Sequence, residues 1–227
     1  MDFSQKHSRR NVLKTGLAAA AAATLPISKA KAQYGQTQGN VINDWVPKKP
    51  GEIRISAFCQ DESQVLRGLL PWTNIENVTL YWDNKSTYLE GTATPEMIRD
   101  TDILVSFYSG FLYSDELRPV IMEEISKRGM GWYFLHNSAW MISGYSELCD
   151  FVGVYGNLHR EVQQISISCL NQNHPITKNI EPFVINLDEQ FGAYIANPND
   201  PDFAKLFSGI GFHDLQWRLQ GWSVQRG

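Results

Sequence analysis

The 227-residue sequence lacks an apolar run long enough to cross a membrane. Its longest apolar stretch, residues 17–25, is about half of the ~20 residues that a spanning helix needs, and it is mostly alanine, a weak driver of insertion. The sequence also has only three cysteines, which lack metal-binding spacing, and it has no phosphate-cradling glycine motif and no internal repeat. These absences argue against a stable membrane anchor, a cysteine metal site and a nucleotide loop.

The N-terminus has the layout of an export signal. Two adjacent arginines, Arg9 and Arg10, precede the apolar residues 17–25, and small residues suited to cleavage lie just before Gln33. A basic segment followed by a short apolar segment is a targeting signal. It resembles the twin-arginine consensus, with Val12 where phenylalanine is usual. The alternative, a basic nucleic-acid-binding arm, would lack the apolar segment and the cleavage site. We therefore expect the twin-arginine translocase to export the folded chain to the periplasm.

Removal of residues 1–32 as the signal changes the charge balance. Six of the 20 basic residues and one of the 24 acidic residues leave, so 14 basic residues face 23 acidic ones and the net charge is about −9. This balance argues against nucleic acid or anionic lipid as a partner. Residues 33–50 are polar and lack apolar periodicity, which predicts a flexible leader, either strapped to the surface or loose, and a single domain that starts near Gly51.

The three cysteines, Cys59, Cys149 and Cys169, leave two states open in an oxidising compartment. They allow either one disulfide with one free thiol or three buried thiols. Buried thiols are favoured because a domain of this size does not need a covalent crosslink.

Short β-type runs alternate with helical patterns from residue 51 to residue 135. The predicted strands are residues 53–58, 78–82, 102–108 and 132–135. A capping-box spacing of Asp61 and Gln64 predicts one helix, Thr94 and Pro95 open a second, and a third with an apolar face ends at Gly129. This alternation predicts βαβ units and therefore an α/β fold built as one doubly wound, mostly parallel sheet.

The pattern weakens after residue 150. Residues 162–168 and 183–187 read as strands, and residues 197–211 read mostly as loop.

Residues that directly follow parallel strands are the first candidates for function, because ligands bind at the carboxyl edge of such sheets. Asp61 comes shortly after the first predicted strand, Tyr108 ends the third, and His136 and Asn137 follow the fourth. His136 is the sharpest candidate, since a strand-to-helix turn often carries a reactive group and histidine titrates near neutrality. The alternative is that His136 and Asn137 only bind loop backbone.

Two further polar groups could join this edge. His159 is either a surface histidine or a site residue, and the pair Asp188 and Glu189 follows the strand predicted at residues 183–187. A carboxylate beside a histidine can form an acid–base pair or bind a divalent ion. His174 precedes a proline and is interpreted as a turn-capping residue.

Four segments in the same order resemble the ThuA-like family, named for trehalose utilisation. They are residues 129–136, 153–159, 173–177 and 183–191, within a match over residues 51–227. The resemblance implies the class I glutamine amidotransferase-like (flavodoxin-like) fold and a role in carbohydrate metabolism. It also implies that His136 occupies the position of the amidotransferase nucleophilic cysteine, so glutaminase activity is not expected.

The chain departs from the family at three places. Ser114 and Ala139 replace histidines found in some members, so no metal is predicted at the site. The family continues through another strand and helix, so the C-terminus is expected to be truncated. Neither a cofactor nor the oligomeric state is identified, and homo-oligomerisation is left open.

Aromatic side chains give a second indication of sugar binding, because flat amphipathic rings stack on sugar faces. Trp140 and Tyr108 are the foremost candidates to reach the pocket. On the resemblance, we expect an exported protein that acts on a carbohydrate or keto-carbohydrate by hydrolysis or isomerisation. His136 would be the acid–base group, Glu189 its partner and His159 a substrate-positioning residue.

Asp61, Asn137 and Asp188 would join Tyr108 and Trp140 in binding the substrate. The alternative from a different class is a non-catalytic sugar-binding or accessory protein that partners a periplasmic oxidoreductase.

Overall fold

The computed structural model describes residues 40–59, 68–87, 89–107 and 109–226, and the side chains at positions 59, 157 and 158 are not among those described. In these ranges no helix combines the length and apolar character needed to cross a bilayer. The helix predicted from Asp61 and Gln64 and the candidate residue Tyr108 lie outside the described part of the chain.

Five parallel strands form the first sheet. They are β1 (Val41–Ile42), β2 (Ile53–Cys59), β3 (Val78–Asp83), β4 (Ile103–Phe107) and β5 (Gly131–Leu135). Their order across the sheet is β1-β3-β2-β4-β5. Phe107 lies opposite Leu135, so β4 and β5 end side by side at the carboxyl edge. The four strands predicted between residues 53 and 135 are confirmed.

Four helices are described. They are α1 (Pro95–Arg99), α2 (Leu117–Arg128), α3 (Ser138–Met141) and α4 (Ser146–Val152). Short 3₁₀ turns lie at Leu70–Asn74, Gly110–Tyr113 and Ile142–Gly144. The side chain of Thr94 caps α1 by accepting the backbone N–H of Met97 at 3.3 Å. Helix α2 ends at Gly129, whose φ of 74° is a left-handed conformation that glycine adopts without a Cβ penalty. Both predicted helix signals are therefore confirmed.

Part of the segment predicted to be a flexible leader lies along the sheet. Val41 pairs with Leu80 of β3. The Lys48 ammonium lies 2.9 Å from the Asp102 carboxylate, and this attaches the segment to the residue that precedes β4. The fold therefore includes residues N-terminal to the predicted start near Gly51.

The C-terminal half forms a second, antiparallel unit. Strands β6 (Val154–Cys169), β7 (Phe183–Ile195), β8 (Phe203–Gly211) and β9 (Trp217–Val224) close into a barrel in the order β6-β7-β9-β8. The prediction of one mostly parallel, doubly wound sheet is wrong for this half. Its strands are joined by loops and turns rather than by crossover helices, so neighbours run in opposite directions. The fold is mixed α/β.

Three finer predictions are corrected in this barrel. The strand predicted at residues 162–168 is the second half of β6, and residues 203–211 of the predicted loop form β8. The strand predicted at residues 183–187 continues to Ile195. Asp188 and Glu189 therefore lie inside β7 and not after its end.

Two apolar clusters pack the molecule. One joins Ile55, Leu80 and Val105 on one face of the parallel sheet. The other joins Leu104 on the opposite face to helix residues and to Leu219 of the barrel, which packs the two units against each other. Cys149 of α4 is completely buried in the second cluster, where its thiol donates to the Ile142 carbonyl at 3.2 Å. Burial raises the pKa of this thiol from 9.0 to about 11. Cys149 and Cys169 are both free thiols.

Candidate active site

The turn after β5 carries His136 in a strained backbone conformation. Its φ is 54°, which lies in the left-handed region that residues with a Cβ rarely adopt. Asn137, at φ −71°, already has helical backbone just before α3, and its side chain makes no capping hydrogen bond. A reactive residue at a sharp strand-to-helix turn is held away from both elements, with its side chain exposed at the sheet edge. Strain of this kind persists only where the surrounding structure enforces it, and it concentrates at functional sites.

Hydrogen bonds from β4 hold this turn in place. The Ser138 hydroxyl donates to the Ser106 carbonyl at 3.2 Å, and the Trp132 indole donates to the Ser106 hydroxyl at 3.0 Å. On the barrel side, Gly156 of β6 touches the turn so closely that a Cβ there would overlap the Ala139 carbonyl. The position of His136 is thus fixed from both sides.

Strand β7 brings two carboxylates to this histidine. His136 Nε2 lies 3.7 Å from Asp188 Oδ1 and 3.7 Å from Glu189 Oε2. His159 of β6 joins the group from the other side, with its Nε2 3.1 Å from Glu189 Oε1. The pairing of β6 with β7 is irregular on both sides of these acids. Such irregularities re-aim side chains and are common next to functional sites.

A buried polar network anchors the part of β7 that carries these acids. Gln190, fully buried, accepts from the Arg218 guanidinium at 2.7 Å and donates to the Gly209 carbonyl at 3.1 Å. Arg218 also binds Asp214, and this hydrogen bond lowers the pKa of Asp214 to about 2. Because Gln190 is tied to β8 and β9, its neighbour Glu189 is held on the side that faces His136.

A cavity of about 160 Å³ opens in front of His136. His136, Asp188 and Glu189 supply its charged groups, and Gln220 adds an amide. Its aromatic lining comes from Phe134, Trp140, Phe191 and Trp222. The cavity therefore combines an acid–base cluster with flat apolar surfaces.

Aromatic rings set the orientation of the two imidazoles. The Phe191 ring lies 4.5 Å from that of His136 and 5.0 Å from that of His159, measured between centroids. Phe107 of β4 lies 5.5 Å from the His136 ring on another side. His136 therefore has little room to rotate away from the carboxylates.

The charge state of the cluster follows from its hydrogen bonds. Interaction with the His136 side chain lowers the pKa of Asp188, and the backbone N–H of Glu189, which Asp188 accepts at 2.8 Å, acts in the same direction. Asp188 is consequently ionised at neutral pH. The other ring nitrogen of His136, Nδ1, is buried without a partner among the described residues. Within the described parts of the chain, the charged groups next to this imidazole face its Nε2.

The structure brings four of the predicted site residues to the cavity and leaves two others outside it. His136, Glu189, Asp188 and Trp140 line the cavity, and Trp140 is about half exposed. Asn137 is 4% exposed and is not among the lining residues.

His159 is also outside the lining, although it touches Glu189. Asp61 and Tyr108 lie outside the described residues. His174 accepts the backbone N–H of Ile176 at 3.3 Å, which agrees with its interpretation as a turn cap.

Phe191 and Gln220 line the cavity but were not predicted as site residues. Phe191 was predictable once Glu189 was chosen, because residues two apart on a strand share a face. Gln220 carries no such signal. Across the described parts of the chain, no group of three or more His, Cys, Asp or Glu side chains is arranged to hold a metal ion.

Comparison with known proteins identifies the N-terminal segment. Residues 6–26 match the twin-arginine translocation pathway signal sequence family. The protein is exported by the twin-arginine pathway to the periplasm. A search of curated proteins found no relative of similar sequence.

Solved structures that resemble the chain include the following two. A ThuA-like protein from Bacteroides uniformis has a TM-score of 0.56 at 14% identity, with 80% of each chain covered. A glutamine amidotransferase from Thermotoga maritima has a TM-score of 0.47 at 12% identity, covering 77% of this chain and 73% of that one. The chain thus shares the fold of a ThuA-like protein.

Proposed function

We propose that the protein binds a carbohydrate or keto-carbohydrate in the cavity and carries out acid–base chemistry on it. His136 is the acid–base group and Glu189 is its carboxylate partner. The observation that carries the proposal is the convergence of His136, Asp188 and Glu189, from two separate units of the fold, at one cavity.

The cluster is suited to moving a proton at His136 Nε2. Asp188 is ionised, so a negative charge lies 3.7 Å from Nε2 of the ring. The 3.7 Å separations between Nε2 and the carboxylate oxygens exceed a direct hydrogen bond. Catalytic contacts are often this long before a ligand binds and shorten when it does. A ligand hydroxyl or an acidic C–H near Nε2 could therefore exchange a proton with His136.

The cavity favours a small polar ligand. At about 160 Å³ it is smaller than the roughly 300–1,000 Å³ of drug-sized sites, so it suits one sugar ring or one end of a longer molecule. Trp140 and Trp222 offer flat surfaces for the apolar face of a ring. Gln220 and the two carboxylates offer hydrogen-bond groups for hydroxyls.

A ligand screen on protein purified from the periplasm tests the proposal. Thermal unfolding is followed with trehalose, glucose and a 3-keto-glucoside, and with divalent metals as a separate arm. A ligand at 100 times its Kd adds about 2.7 kcal/mol, which corresponds to a rise in Tm of about 5–11 °C for a chain of this size. His174→Ala is the matched control, because His174 is partly buried but lies outside the cavity.

The proposal predicts that sugar raises the Tm of wild type and of His174→Ala. It also predicts that wild type converts the bound sugar and that His136→Ala and Glu189→Gln do not. If those two variants still bind and wild type leaves the bound sugar unchanged, the protein is a binding or accessory protein instead. If no sugar shifts the transition, the carbohydrate assignment is wrong.

A further inference from the structure

Glu189 lies between two histidines that differ in their access to water. One carboxylate oxygen faces His136 Nε2 at 3.7 Å and the other faces His159 Nε2 at 3.1 Å. The His136 side chain is 21% exposed and lines the cavity, whereas the His159 side chain is 51% exposed and does not. The three groups therefore form a line from the cavity to the solvent.

Strand pairing and packing keep this line in place. His159 of β6 is directly opposite Phe191 of β7, and Glu189 is two residues before Phe191. The Phe191 ring contacts both imidazoles, at 4.5 and 5.0 Å between centroids. One side chain thus holds both histidines next to the carboxylate between them.

Among the described residues, the charged neighbours of His136 lie at its Nε2. Its Nδ1 is buried and has no hydrogen-bond partner among the described residues. The charged groups that face Nε2 are Asp188 and Glu189. Asp188 is held in the ionised form, with its Oδ1 also bound to the Glu189 backbone N–H. Of these two carboxylates, Glu189 is the one that also contacts His159, which can accept a proton at Nε2.

We propose that His159 is a proton-relay residue that carries protons between Glu189 and bulk water without touching the ligand. The proposal rests on the proposed acid–base role of His136. A proton taken up by His136 passes from Nε2 to Glu189, directly after a small closure or through one water molecule. Glu189 holds it as a carboxylic acid, and rotation of the carboxyl group turns the protonated oxygen from His136 toward His159. The O–H bond then breaks as an N–H bond forms at Nε2 of His159, which releases a proton from Nδ1 to water. Only N–H and O–H bonds form and break, and the protein returns to its starting charge.

Histidine NMR on the 15N-labelled exported protein tests the relay. The measured quantity is the rate at which the His136 Nε2 proton exchanges with water, in wild type, His159→Gln and His174→Gln. His159→Gln is expected to slow this exchange by about 10²-fold, the lower end of what a positioned proton-transfer group contributes. Added imidazole is expected to restore the rate, because it can occupy the vacated position. His174→Gln is expected to leave the rate unchanged.

A purely structural role for His159 would alter the position of Glu189, and imidazole would not restore the rate. The relay is overturned if the exchange rate in His159→Gln equals that of wild type. It is also overturned if the rate falls and added imidazole does not restore it. Because His159 is half exposed, its substitution is not expected to unfold the protein. Glu189→Gln keeps the shape of the side chain but cannot carry the proton, so it should also slow the exchange of the His136 Nε2 proton. A normal rate in Glu189→Gln also overturns the relay.

The sugar-induced rise in Tm is measured in the same samples. His159→Gln should keep that rise, and its loss would mean that His159 contacts the ligand and would overturn the relay. A different result would separate the two proposals. If sugar does not raise the Tm of wild type, but imidazole restores the slowed exchange in His159→Gln, the proposed function is rejected and the proton path is still supported.

Discussion

The left-handed backbone of His136 predicts an unusual order of stability among its variants. An L-residue in this conformation costs about 1–2 kcal/mol that glycine does not incur. Glycine loses roughly 0.5–1 kcal/mol more backbone entropy on folding than alanine. The difference between the midpoints of these two ranges makes His136→Gly, at φ 54°, more stable than His136→Ala by about 0.75 kcal/mol. Both variants lose the same ring contacts with Phe107 and Phe191, so the comparison isolates the backbone.

Urea denaturation measures this difference as a change in midpoint at a constant m-value. Asn137 supplies the matched control, because it is the next residue in the same turn and has an ordinary φ of −71°. There the order should invert, with Asn137→Ala more stable than Asn137→Gly. If His136→Ala is as stable as His136→Gly, the turn relaxes without the imidazole and the argument for enforced strain is wrong.

Two further predictions concern buried groups. The pKa of Cys149 is raised from 9.0 to about 11, so the unfolded chain loses the thiol proton first, and stability should fall by roughly 2–3 kcal/mol as pH rises from about 9 to 11. Denaturation at pH 8 and pH 10.5 should show that the free energy of unfolding falls less in Cys149→Ala than in wild type. An equal fall in the two proteins would contradict the effect of burial on the Cys149 pKa. Gln190→Leu should cost about 1–3 kcal/mol because Arg218 loses a buried acceptor; Gln164→Leu, whose partner Asn186 is exposed, should cost less than about 0.5 kcal/mol.

The parallel sheet was predictable because its signals are local. Thr94 and Pro95 mark a helix start and Gly129 a helix end, and each acts through its own backbone geometry. His136 was predictable for the same reason, since it directly follows an apolar strand. The partnership with Glu189 was expected only from the family resemblance, because no local signal joins residues that far apart in the chain.

The barrel could not be predicted, because its strands bury some polar residues and expose some apolar ones. Gln163, Gln190 and Arg218 are buried, whereas Val184 and Trp217 are about half exposed. Polar residues inside a barrel are stable only when they satisfy one another, and those partners lie on different strands. Polarity along a single strand therefore does not show which face is buried or where the strand ends. For this reason Asp188 and Glu189 were predicted to follow β7, although they lie within it.

The burial of Cys149 bears on the order of events during export. A protein that crosses the membrane already folded meets the oxidising compartment only after its core has closed. Cys149 then has no exposed surface, and its raised pKa keeps it as the thiol, whereas oxidation and disulfide exchange proceed through the thiolate. Folding in the reducing cytoplasm thus gives this thiol a kinetic protection that a chain exported unfolded would lack.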